Sequence, residues 1–268
     1  MSNLVSRVLT AVVAIPPLVA LILWDQRLGF SCLVVACSAI GMMEFTAMLL
    51  PGMAPGARGL VVAAGTAMTA ALTLRPELAV VWVLAALILG ATTVLLHPGE
   101  IPGAGARLGL VFLGLMYVGA LTAALGLLHR QLTDGPLWVL VVLAATFSND
   151  TGAYFAGRAL GRHKLYPAIS PAKTIEGGVG GLVACVGVLF LARATFFPAL
   201  GISDCLWVAL PASVLGPIGD LVESMLKRSA GVKDSGHLIP GHGGILDRLD
   251  ALLFVGAWVY TYATHLRT

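Results

Sequence analysis

The sequence predicts an all-α, polytopic integral membrane protein with about nine transmembrane helices. Three observations predict it. Hydrophobic residues make up 58% of the 268-residue chain and charged residues only 11%, whereas an ordinary soluble domain is about 45–50% apolar and about 25% charged. The mean hydropathy is +0.94, and a chain so poor in polar groups cannot cover a soluble surface. Apolar runs of roughly 20 residues, the length of a membrane-spanning helix, recur from end to end. The runs are continuous, not alternating. Only helices or closed barrels satisfy every backbone polar group in lipid, so helices are the choice. The composition excludes a soluble enzyme, a disordered tail and a nucleic-acid-binding module.

The spans read as 8–24, 29–50, 59–74, 78–96, 108–128, 137–156, 177–197, 204–226 and 246–265. The first follows Arg7 and has no A-x-A-like cleavage site, so it reads as an uncleaved span and not a signal peptide. The second carries Glu44, the exception in a first half almost without intramembrane charge. An ionisable group in a span is costly and often functional, and a neutral, hydrogen-bonded Glu between helices is an equally good reading. Pro16-Pro17, Pro211 and Pro217 fall inside spans and are expected to kink or break them. The 32 glycines permit close helix approach. Cys32, Cys37, Cys185 and Cys205 all lie in apolar runs without metal spacing and read as small buried hydrophobes.

Orientation follows from Lys and Arg in the loops. With the N-terminus cytoplasmic, the inside segments hold Arg7, Arg58, Arg107, Arg158, Arg162, Lys164, Lys173, Lys227, Arg228, Lys233 and Arg248, and the outside holds Arg27, Arg75, Arg130, Arg193 and Arg267. This count of 11 against 5 puts both basic loops, 157–176 and 227–248, on the cytoplasmic face. The same polarity divides the chain. Residues 1–135 read as scaffold helices that offer a lipid or dimer surface, and residues 136–268 as the catalytic region.

The polar residues concentrate in segments 148–176 and 216–250. These hold Asp150, Glu176, Asp220, Glu223, Asp234, Asp247 and Asp250, 7 of the 13 acidic residues, and 8 of the 16 basic ones. Asp220, Glu223, Ser224 and Lys227 stand at i, i+3, i+4 and i+7 and share one helix face. Asp247 and Asp250 stand at i, i+3, and Asp150 and Tyr154 at i, i+4. Three helix ends thus converge their carboxylates on one pocket below the basic loops. Carboxylates without His or Cys partners suit a hard cation, Mg²⁺ above all, held by one or two carboxylates and substrate phosphates. Lys and Arg beside them neutralise phosphate oxygens. The glycines and Pro240 of 236–244 suggest a loop whose backbone approaches a ligand. These parts point to phosphoryl or nucleotidyl transfer, with no Walker A, GxSxG or HExxH pattern present. His242 reads equally as a ligand contact and as a loop-structuring residue.

Segment 224–250, SMLKRSAGVKDSGHLIPGHGGILDRLD, resembles the signature of the phosphatidate cytidylyltransferases, or CDP-diacylglycerol synthases. The matching positions are Ser224, Lys227, Arg228, Lys233, Asp234, Pro240, Gly241, His242, Gly243, Gly244, Asp247, Arg248 and Asp250. Asn149-Asp150 with Ala153-Tyr154 and Gly157, and Ser170-Pro171 with Lys173-Thr174 and Glu176-Gly177, are similar to weaker blocks of that family. The resemblance implies that CTP and phosphatidic acid give CDP-diacylglycerol and diphosphate with Mg²⁺, on the cytoplasmic side of a bacterial-type cell membrane. Resemblance and spacing together make Asp220 and Asp247 the leading metal ligands, followed by Asp150 and Asp250. They make Lys173, Lys227, Arg228, Lys233 and Arg248 phosphate binders. Ser170, Thr174 and Ser224 become hydrogen-bond donors, and Asn149 and His242 further substrate contacts. Asp220, Asp247, Lys227 and Lys233 are the catalytic set, and Glu176, Glu223 and Asp234 orient basic residues. The partners are CTP, phosphatidic acid and membrane lipids, not nucleic acid. A second cation and a homodimer stay open, as do two rivals, a CTP-dependent lipid kinase and a polytopic transporter.

Overall fold

The structure is a computed structural model that describes residues 13, 15–24, 26–236 and 243–267. Residues 15–23 are helical, and most of the expected first span lies outside the described residues. The helices that follow are α1 (Leu28–Leu49), α2 (Pro55–Leu74), α3 (Ala79–Leu96, entered through a 3₁₀ turn Pro76–Leu78), α4 (Ile101–Gln131) and α5 (Gly135–Leu160). A hairpin of β1 (Lys164–Tyr166) and β2 (Ser170–Thr174) leads into α6 (Ile175–Ala194), α7 (Ile202–Ser229) and α8 (Leu246–Thr261). A π turn, Tyr262–Leu266, continues α8.

Among the described residues, seven helices are long and apolar enough to cross a membrane. The expected last span falls short of that length in α8, with Asp247, Arg248 and Asp250 in its first turns, and the π turn extends it to Leu266. The chain is therefore all-α and polytopic. Large side chains such as Ile88, Leu95, Val183, Trp207 and Val214 are exposed on the outer faces, where lipid tails cover them at no desolvation cost. The interior is closed by Phe45, Val118, Trp138, Leu189, Leu246 and Leu253, all fully buried.

Two expectations need correction. Pro211 and Pro217 do not break their span, since α7 runs without interruption from Ile202 to Ser229. Pro211 has no N–H for the Trp207 carbonyl, and the Trp258 indole Nε1 donates to that carbonyl at 2.9 Å instead. The basic segment 157–176 is not simply a loop. Its first residues finish α5, and the rest is an antiparallel hairpin that pairs Lys164 with Thr174 and Tyr166 with Ser170. Glu176, in the first turn of α6, anchors it. Its carboxylate accepts from the backbone N–H groups of Arg162 (3.1 Å) and His163 (3.2 Å) and from His163 Nδ1 (2.6 Å). Thr174 caps α6 by accepting from Gly177 N at 3.1 Å.

Close backbone contact sets the positions of α5, α6 and α7. A Cβ on Gly152 would lie 2.6 Å from the Gly180 carbonyl oxygen, and one on Gly219 would clash with the backbone of Asp250. Small residues of this kind let helices touch where lipid provides no hydrophobic drive. At one end of the bundle, buried Asp204 accepts from Tyr262 Oη (2.7 Å), Arg267 Nε (3.0 Å) and Gly201 N (2.8 Å), which pins the end of α8 to the start of α7. The opposite end gathers the α1–α2 turn, the α3–α4 turn, the hairpin and the chain around the start of α8.

Candidate functional site

The polar residues meet at that second end, in two adjoining groups. In the first, Asp150 of α5, Asp220 of α7 and Asp250 of α8 lie within electrostatic reach of one another. Lys173, near the end of β2, reaches Asp220 and acts electrostatically on Asp150. Its Nζ stands 2.8 Å from Asp220 Oδ2 and donates to the Pro217 carbonyl at 3.1 Å. Ser224, one turn beyond Asp220, donates to Asp220 Oδ1 at 3.1 Å. The guanidinium of Arg248 acts electrostatically on Asp150.

The second group surrounds Lys227, which is buried. Its ammonium pairs with Glu223, fully buried one turn earlier on α7, and with Asp247 Oδ1 at 2.6 Å. The other oxygen of Asp247 accepts from Ser235 N (2.9 Å), Ser235 Oγ (2.9 Å) and Gly244 N (2.8 Å). Gly243 is required here twice over. Its φ is +75°, and a Cβ would lie 2.6 Å from Asp247 Oδ2.

Glu44 holds this second group from the far half of the chain. Its buried carboxylate accepts from Ile245 N (3.0 Å) and Leu246 N (2.9 Å) and shares the single Ser235 Oγ proton (3.1 Å) with Asp247. The first N–H groups of a helix have no intrahelical acceptor and carry its positive dipole end. Glu44 satisfies two of them and so places the start of α8. Of the two readings open from the sequence, the structure shows the hydrogen bonds between helices that the second expected, but with Glu44 as acceptor throughout, which does not call for the neutral acid. Its partners are the donors that suit a carboxylate.

Buried polar atoms without partners also collect here. Among the described residues, Asn149, 1% exposed, leaves both amide atoms unpaired, and Glu223 Oε1 and Tyr117 Oη are unpaired as well. Buried polar groups are nearly always hydrogen-bonded, so each such exception needs a reason. A polar ligand supplies a common one.

The structure thus brings together Asn149, Asp150, Lys173, Asp220, Ser224, Lys227, Asp247, Arg248 and Asp250. It distributes them differently from the expectation that paired Asp220 with Asp247. Asp220 faces Asp150 and Asp250, whereas both oxygens of Asp247 are engaged by Lys227, Ser235 and Gly244. Ser170 and Thr174 lie on β2, where Thr174 spends its hydroxyl on the α6 cap. Arg228 is exposed and bonds the Val232 carbonyl at 3.1 Å, and Lys233 and Asp234 are exposed in the segment that follows α7. Tyr154 is exposed and accepts from Arg158 at 3.0 Å. His242, Pro240 and Gly241 lie outside the described residues. Sequence reasoning passed over Ser235 and Tyr117. Ser235 carries the only local signal, a small hydroxyl between the charged pair Lys233-Asp234 and Gly236.

The donors in the first group are all oxygen, which fits Mg²⁺ and excludes a soft-metal site. Among the described residues, no three His, Cys, Asp or Glu side chains stand close enough to hold an ion by themselves. That suits a cation bound by one or two carboxylates and completed by substrate oxygens. Acidic and basic side chains at the lipid boundary of a helical bundle can bind a divalent cation together with a polyanion.

The model of the cytidylyltransferase family matches residues 5–266, nearly the whole chain. The chain is 49% identical over 125 residues to a phosphatidate cytidylyltransferase of Staphylococcus haemolyticus, covering 46% of this chain and 47% of the relative. It is 39% identical over 154 residues to one of Bacillus subtilis, covering 58% and 57%, and 46% identical over 128 residues to one of Staphylococcus aureus, covering 47% and 49%. These matches span about half the length of each relative.

Proposed function

This chain belongs to the cytidylyltransferase family, and we propose that it transfers the cytidylyl group of CTP to phosphatidic acid, giving CDP-diacylglycerol and diphosphate. One observation carries the reading. Asp150, Asp220 and Asp250 face one another with Lys173 paired to Asp220, at one end of a lipid-facing helical bundle. The names of the relatives support the same substrate pair.

The proposed reaction joins a phosphate oxygen of phosphatidic acid to the α-phosphorus of CTP and breaks the bond to the β-phosphate. The nucleophile is already ionised near neutral pH, so no side chain has to remove a proton. Among the described residues the site holds no His or Cys base, as this chemistry allows. What the site must do is hold two polyanions together and stabilise the departing diphosphate. Asp220, with at most one of Asp150 and Asp250, would hold Mg²⁺, and substrate oxygens would complete its shell. When bound, the ion supplies charge neutralisation on the phosphate oxygens. Lys173 lies close enough to Asp220 to contact a phosphate held there, and Lys233, Arg228 and Arg248 bring further positive charge. Lys227 is held by Glu223 and Asp247, and it fixes the relation between α7 and α8. A membrane-embedded phospholipid explains a site at the lipid boundary, and CTP requires that end to face the cytoplasm. The excess of Lys and Arg at the site end supports that sidedness.

The test uses CTP labelled at the α-phosphate with phosphatidic acid and purified protein in detergent. Label is expected in the lipid product with wild-type protein and Mg²⁺. A lipid kinase would leave the label in CDP, and that result would overturn the proposal.

A further inference from the structure

Tyr117 lies in the half of the chain read as scaffold, yet it is buried within electrostatic reach of the site's carboxylates. It stands in a π turn, Leu115–Ala120, in the middle of α4. A π turn inserts one residue into the helix and re-aims the side chains around it, and such single turns occur often at functional sites. This one is braced from outside. Thr69 Oγ1 of α2 donates to the Gly119 carbonyl at 2.8 Å, and the Thr69 and Ser38 hydroxyls lie 2.6 Å apart. The distortion is therefore held by specific contacts and is not a frayed end.

The Tyr117 ring is 4% exposed and packs edge-on against Phe254, with centroids 6.2 Å apart and planes at 62°. Phe254 follows Asp250 by one turn of α8, so the ring packs against the helix that carries that carboxylate. The charged groups acting on its hydroxyl are Glu223, Asp250 and Asp220, members of both site groups. The hydroxyl makes no hydrogen bond among the described residues. A purely structural role would be met by Phe, which avoids the cost of an unpaired buried donor. Asp220 is engaged by Lys173 and Ser224, and one oxygen of Glu223 by Lys227; the other, Oε1, is itself without a partner among the described residues and makes no hydrogen bond to the Tyr117 hydroxyl. Phosphate oxygens are acceptors that arrive only with substrate.

We propose that Tyr117 is a substrate-contacting residue whose hydroxyl donates a hydrogen bond to a phosphate oxygen of the substrate bound at the Asp150–Asp220–Asp250 group. The proposal rests on the nucleotidyl-transfer reading above and deepens it by bringing the N-terminal half into the substrate site.

The experiment compares wild type with Tyr117→Phe, which removes one oxygen and keeps the ring. Turnover of CTP and phosphatidic acid is measured per folded protein. The melting temperature is measured alone, with CTP and Mg²⁺, and with phosphatidic acid in detergent micelles. A hydrogen bond to a charged acceptor predicts a fall of about 10- to 100-fold in kcat/KM. The melting temperature of the protein alone should stay level or rise, because an unpaired buried donor has gone. A reduced shift with CTP assigns the contact to the nucleotide phosphates, and a reduced shift with phosphatidic acid assigns it to the lipid headgroup. Wild-type kcat/KM together with wild-type shifts for both ligands would overturn the proposal. So would lower activity with a lower melting temperature and unchanged ligand shifts. Wild-type protein that binds CTP but labels no lipid would refute the nucleotidyl-transfer reading instead, while the binding shifts would still decide whether Tyr117 contacts a phosphate.

Discussion

Replacing Glu44 by glutamine keeps the volume of the side chain and removes its charge, at a position 201 residues from Ile245 whose N–H it accepts. The native carboxylate takes three donors, Ile245 N, Leu246 N and Ser235 Oγ (the last shared with Asp247), at 3.0, 2.9 and 3.1 Å. An amide has one acceptor oxygen. Whichever way it turns, its NH₂ group faces at least one of these donors, so one or two bonds to a charged acceptor are lost. Each is worth about 1.5–3 kcal/mol, and the helix N-terminus loses a compensating anion worth up to about 2 kcal/mol when partly buried. Allowing for relaxation, the start of α8 should be held less tightly by about 2–4 kcal/mol. At 1.4 kcal/mol per factor of ten, the amides of Ile245 and Leu246 should then exchange hydrogen about 30- to 700-fold faster. The core of α1 should stay protected, because Met42 and Phe45 remain buried. Asp247 and Lys227 depend on that turn through Ser235, so kcat should fall as well. The assay is hydrogen exchange with mass spectrometry on the detergent-purified variant, with turnover measured in parallel. Unchanged exchange at the start of α8 would refute the reasoning, because Glu44 would then be a passive buried group.

Asp220→Asn should abolish turnover while leaving the melting temperature near wild type, since Asp220 is only partly buried; substantial residual activity would remove Asp220 from the metal assignment. Lys227→Ala leaves Glu223 and Asp247 buried without their shared counter-charge, and it should lower stability by about 3–5 kcal/mol, read as loss of monodisperse protein, whereas Lys233→Ala at an exposed position should lower turnover without that loss. A cysteine at Lys164 should resist an impermeant thiol reagent in intact cells and react after lysis; labelling before lysis would reverse the proposed sidedness of the site.

The helices were legible because lipid leaves the backbone no other solution. Their limits were less so. α5 continues to Leu160 and α7 to Ser229, and hydropathy reads such charged ends as loop. The hairpin was not legible at all, because strands of 3 and 5 residues carry no usable period, and what fixes them is Glu176 on the next helix. The site was half legible. Spacing placed Asp220, Glu223, Ser224 and Lys227 on one face, and their contacts agree. Spacing could not divide the carboxylates between partners. Asp247 and Asp250 share a face of α8 but differ by most of a turn in depth. The shallower one meets Lys227 and Ser235, and the deeper one meets Asp150 and Asp220.

What local pattern cannot supply is a partner from another helix. Glu44 and Tyr117 both lie in long apolar runs that suggest scaffold, and neither has a polar neighbour at i±3 or i±4 on its own helix. Their isolation is itself informative. A lone ionisable or hydroxylated side chain in a span must find its partner elsewhere, because lipid offers none. Glu44 finds two helix N–H groups and a serine at the start of α8. Tyr117 finds none within the described protein, although it is buried within electrostatic reach of the carboxylates. The same rule therefore gives two roles. The residue whose partners belong to the fold positions the site, and the residue whose partner is missing points to the ligand.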